Sequence, residues 1–106
     1  MACDISNSAY RGNLYIVWTN IGYPGVNTGT TGDVYMIKST DQGNTWSAPL
    51  QINQNPPDSK NHYLPWITCD QANGYLSVVF YDGRNVPSNQ AETYMAYSTD
   101  GGMSMG

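Results

Sequence analysis

The chain has 106 residues, a net charge of −4 and only 11% charged side chains, set against nine Tyr, three Trp and eleven Gly. That length holds one domain or part of one, with a modest core, and an aromatic, Gly-rich, charge-poor composition excludes disorder and favours twisted β-sheet with many turns. Arg11, Lys38, Lys60 and Arg84 are the only cations and build no basic patch, which excludes nucleic acid and anionic membrane surfaces as partners, and no run is apolar for long enough to span a bilayer.

In chain order, Ala2-Cys3-Asp4 reads as a short strand, and residues 5–13 form a polar, Gly-containing turn. Residues 1–20 lack the charged start and apolar core of a secretory signal. Strands follow at 14–19 and 34–39, separated by a Gly/Asn/Pro-rich loop over 20–32 that holds Tyr23-Pro24-Gly25. Residues 39–46 make a tight turn, with Gly43 able to adopt φ > 0 and Asp41 able to accept backbone N–H groups. Trp46 then opens a strand predicted over 45–52. Pro56-Pro57 keeps the next segment, 51–60, out of any ladder. Strands are predicted again at 62–69, 75–81 and 92–98, and a second tight turn at 98–105 closes the chain. The fold class is all-β, with no helical period longer than two turns.

The second half repeats the first. Thr68-Cys69-Asp70 answers Ala2-Cys3-Asp4, the strand at 76–81 answers that at 14–19 and Asp82 answers Asn20. The strand that begins at Glu92 answers the one that begins at Asp33, and Ser98-Thr99-Asp100-Gly101-Gly102 answers Ser39-Thr40-Asp41-Gln42-Gly43. A strand-only repeat of about 60 residues is the length of a propeller blade. The first blade is assigned to 1–53, with its innermost strand truncated, and the second to 54–106, without its outermost strand. Two blades alone leave sheet faces and an edge uncovered, so other blades are expected as partners, from the same protein or from further copies of the chain.

The turn Ser-x-Asp-x-Gly-x-Thr-Trp, carried by Ser39, Asp41, Gly43, Thr45 and Trp46, resembles the Asp-box of sialidase-like, BNR-repeat β-propellers. Ser98, Asp100 and Gly102 carry the second copy. Ser104 there keeps the hydroxyl of Thr45, while Met105 replaces Trp46 and is expected to anchor its turn less well. The resemblance implies structural Asp-boxes on one face and a substrate face built from the loops at 20–32, 53–63 and 82–90. It also implies an extracellular or cell-surface setting and a glycan as ligand.

Substrate-binding candidates on that face are Arg84 and Asp82, His62 and Tyr63, and Tyr23. Arg84 suits bidentate contact with a carboxylate. A local Asp82–Arg84 contact that ties down the loop is the other reading of that pair. His62 is a general acid or base by residue type, though spacing assigns it no partner. Trp66 lies in a predicted innermost strand and is expected to pack in the core.

Sialidases are retaining glycosidases with a tyrosine nucleophile. The resemblance implies a Tyr/Glu pair and three Arg, whereas this chain has two Arg and a single Glu, Glu92, at a repeat position. No catalytic residue is assigned. No cofactor is expected, and Cys3, Cys69 and the single His do not make a metal site. The two cysteines read as buried free thiols, with a disulfide left open. Function is read as carbohydrate binding or glycoside processing by a propeller fragment that is not catalytically complete alone. The alternative is a non-catalytic extracellular scaffold for protein interaction or adhesion.

Overall fold

The computed structural model describes residues 1–20, 32–52, 62–83 and 91–106, and every regular element among them is a strand. These are β1 (Ala2–Cys3), β2 (Leu14–Asn20), β3 (Asp33–Ser39), β4 (Leu50–Gln51), β5 (His62–Cys69), β6 (Leu76–Asp82) and β7 (Glu92–Ser98). They form two antiparallel sheets, ordered β1-β2-β3-β4 and β5-β6-β7. Each strand pairs with its neighbour in sequence, which is the meander of a propeller blade. The fold is therefore all-β, a propeller-like segment of nearly two blades. Tyr23, Arg84 and the junction at 53/54 lie outside the described residues.

Alternation decides what each sheet buries. In the first sheet Tyr15 pairs with Lys38, Val17 with Met36 and Thr19 with Val34, so these side chains share one face. In the second, Ile67 pairs with Val78, Val78 with Ala96 and Phe80 with Tyr94. The two faces meet in a single core that includes Tyr15, Val34, Met36, Ile52, Ile67, Leu76, Val78, Phe80 and Met105. The innermost strand of the second sheet, β5, lies against β2, β3 and β1 of the first. Burying a side chain such as Leu76 or Ile67 there contributes about 1.5–3 kcal/mol.

The fourth strand of the first sheet is shorter than its sequence suggests: β4 is only Leu50–Gln51, not 45–52. Ser47 N–H still donates to Lys38 O at 2.8 Å, but Pro49 has no N–H to give, and pairing resumes only at Leu50 with Met36. The second sheet repeats the first of these steps, with Tyr97 and Gly106 exchanging hydrogen bonds of 3.1 and 2.7 Å.

The second turn lies directly on the first sheet. Tyr15 Oη donates to Gly101 O at 3.3 Å, and Lys38 Nζ reaches the same oxygen at 3.4 Å. A Cβ at Gly101 would stand 2.3 Å from the Tyr10 ring, and one at Gly102 would stand 2.9 Å from Met36 Cε. Gln42 occupies the position of Gly101 in the first copy, at φ 64 against φ 70. Left-handed backbone is thus common to both turns, and the close approach to Tyr10 is what requires glycine at 101. Gly101→Ala is expected to lower stability by about 1–3 kcal/mol through overpacking, whereas Gln42→Gly should be neutral or slightly stabilising. Denaturant midpoints of the two variants check this contrast.

Candidate functional site

The strand register gives the molecule two ends. Leu14 pairs with Ser39 and Leu76 with Ser98 at the end that carries the turns. Asn20 pairs with Asp33, and Asp82 with both His62 and Glu92, at the end that carries the loops.

At the turn end each aspartate organises its own backbone. Asp41 Oδ1 accepts the Ser39 hydroxyl and the Thr45 N–H, both at 2.8 Å, and Oδ2 accepts the Thr45 hydroxyl. Ser39 Oγ in turn accepts Gly43 N–H at 2.8 Å. The second copy reproduces the set: Ser98 Oγ to Asp100 Oδ1 at 2.7 Å, Ser104 N–H to Oδ1 at 3.0 Å and Ser104 Oγ to Oδ2 at 2.6 Å. Hydrogen bonds to the ionised form stabilise it. Those from the Thr45 side chain, the Thr45 backbone and Ser39 lower the Asp41 pKa to about 2, and those from Ser104 and Ser98 lower Asp100 likewise. Met105, expected to be the weaker anchor, is only 4% exposed and belongs to the core, whereas Trp46 is 38% exposed. A shallow depression of about 230 Å³ beside Trp46 is lined by Lys38, Thr40, Thr45 and Ser47.

At the loop end one imidazole joins the two sheets. His62 opens β5, and its N–H donates to Gly32 O at 2.9 Å. Its Nδ1 lies 3.1 Å from Gly32 O and 3.1 Å from Asp33 Oδ1. Both neighbours are acceptors, so an N–H at Nδ1 donates to them. Nε2 stands 3.2 Å from Asp82 Oδ1, off the line of a straight hydrogen bond. The ring packs near Phe80, with centroids 6.5 Å apart. His62 is 2% exposed and Asp82 0%, so neither presents a polar atom to solvent. His62 and Asp82 are buried, with the partly exposed Asp33 beside them, an arrangement that suits fastening rather than proton exchange with a free substrate.

The structure brings together Asp82 and His62 of the sequence candidates and adds Asp33. Asp33 was visible only as the repeat counterpart of Glu92, and its pairing with His62 crosses between sheets. Tyr63 points to the opposite face of the second sheet, where its ring lies 5.6 Å from that of Tyr81. Trp66 is a correction: it is 70% exposed, not packed in the core. Ile67 and Cys69 take the inward positions of β5, so alternation sends Trp66 outward. Cys3 and Cys69 are free, and Cys3 is exposed rather than buried. Ala2, not Cys3, packs toward the core. Burial, then the charges of Asp4, Cys3 and Asp70, push the Cys69 thiol up to about 11, which leaves it unreactive at neutral pH.

No family model matches the chain. Over 96 residues it is 31% identical to a protein named sialidase from Bacteroides fragilis, and the match takes in 86% of this chain. The relation is sialidase-like. The chain spans about 16% of the length of that curated relative.

The turn carboxylates give a signed pH dependence. The folded pKa of Asp41 is below its ordinary value of 3.8, so its contribution is fully present above 3.8 and is lost as pH falls through about 2. Asp100 acts in the same direction. Urea midpoints are expected to fall across that window, and Asp41→Asn should be less stable at neutral pH with a shallower acid limb.

Proposed function

We propose that this chain forms two adjacent blades of a sialidase-like propeller that binds or processes carbohydrate outside the cell. Its two turns are Asp-boxes in this reading, and the loop end faces the glycan. The observation that carries it is the 31% identity to a sialidase over nearly the whole chain, on a fold whose two turns repeat one hydrogen-bonding scheme. The outward face of the second sheet supports the blade reading. Trp66, Val79 and Met95 stand side by side there and are exposed. Their repeat counterparts Val17 and Met36 lie on the face that the second sheet covers. A further sheet of the same kind, from the same polypeptide or another copy, would cover Val79 and Met95 in the same way.

Arg84 is the residue we assign to an anionic sugar, because a guanidinium pairs bidentately with a carboxylate. A scaffold role is the second reading. The observation in its favour is that the His62 ring and the Asp82 carboxylate are closed to solvent. A glycan array probed with the full-length protein, followed by a fluorogenic sialoside assay, separates the two. Binding to acidic glycans is expected, and Arg84→Ala is expected to weaken it by about tenfold or more, the loss of a charged hydrogen bond of about 1.5–3 kcal/mol. Absence of any glycan binding would leave the scaffold reading.

A further inference from the structure

The register of β5 contains an irregularity whose effect is to aim His62. Tyr63 pairs with Tyr81 and Trp66 with Val79, so Leu64 and Pro65 together stand opposite the single residue Phe80. This is a β-bulge, one extra residue in one strand. Leu64 takes φ 52, which is disfavoured for a branched side chain and again for the residue before a proline. His62 and Ile67 are an odd number of residues apart, so an unbroken strand would put them on opposite faces. With the bulge, both are buried: His62 against Asp33 and Asp82, Ile67 in the core. Strained backbone persists where its surroundings over-determine it, and it gathers at functional sites.

We infer that His62 is a positioning residue. With Asp33 and Asp82 it clamps the loop ends of the two sheets in one geometry, and the Leu64-Pro65 bulge is the device that turns it inward. Gly32 and Asp33 belong to the side of the first sheet, and His62 and Asp82 to the second. The ring thus touches described residues of both sheets at the end assigned to the glycan. An apolar side chain in this place would fill the same space. It would supply no donor to Asp33 or Gly32 and would leave the Asp82 carboxylate, fully buried, without this contact. The clamp stands on geometry alone, and only its consequence for ligand affinity rests on the carbohydrate reading.

The test compares wild type, His62→Gln and His62→Leu in the full-length protein, by amide hydrogen exchange over 32–39 and 76–83 and by glycan affinity. The clamp predicts an order of protection of wild type, then Gln, which keeps a donor, then Leu. It also predicts a loss in glycan affinity of about tenfold or more in Leu, from lost placement rather than lost contact. Asp33→Asn, nearly isosteric, should fall between wild type and His62→Leu and guards against a variant that simply fails to fold. Asp41→Ala, at the other end, should lower the unfolding midpoint without changing affinity in the folded range. Protection in His62→Leu equal to or above that of wild type would overturn the clamp, since packing alone would then explain the site. If wild type binds no glycan, the carbohydrate reading falls and the order of protection alone decides the clamp.

Discussion

Gly101 and Gly102 sit so near the first sheet that a methyl group at either would collide with Tyr10 or with Met36. That close approach lets the second sheet settle onto Tyr15, Val34 and Met36 and lets Met105 enter the core. The geometry of the second turn therefore serves two purposes. Asp100 and Ser98 close the turn itself, and its glycine backbone supplies the surface on which Tyr15 and Lys38 rest. At the opposite end the sheets meet through polar atoms instead, around the His62 ring. One interface is thus held by backbone proximity at one end and by a buried ionisable group at the other, with the apolar core between them.

Because the chain repeats, one copy shows what the other lacks. Met105 is buried between the sheets while its counterpart Trp46 is partly exposed. The difference lies in what each faces, not in how well each residue type packs: the first sheet covers Met105, and among the described residues no sheet stands over Trp46. The same comparison explains why an indole at position 66 is exposed on a strand whose inward residues His62 and Ile67 are buried. Residues that look like surface aromatics here have the composition of an interior.

The all-β class, the two meanders and both turns were legible in the sequence, because alternation and the chemistry of Ser, Asp and Gly in turns act over a few residues. The turn hydroxyls matter as hydrogen-bond donors, and Ser104 makes in the second turn the bond that Thr45 makes in the first. The loop-end contact was not legible, since Asp33, His62 and Asp82 meet only when the two sheets stack. Spacing along the chain carries no trace of that. Trp66 was misplaced for a related reason. Its inward or outward direction depends on a single extra residue at Leu64-Pro65, and although a proline inside a strand hints at a bulge, it does not say which neighbours change face. The length of β4 turned on Pro49 in the same way.

The stacking of these sheets also carries a direction. The face that the first sheet presents to the second is not the face that the second presents to the first, so the contact is heterologous. Repeated with a constant rotation, a contact of this kind has no built-in stopping point. It either returns on itself as a closed ring or runs on as an open helix. Which of the two occurs depends on the angle between successive sheets. In this chain two glycines stand at one end of that contact and an imidazole between two carboxylates at the other, so a few atoms at the joint bear on the angle between one sheet and the next.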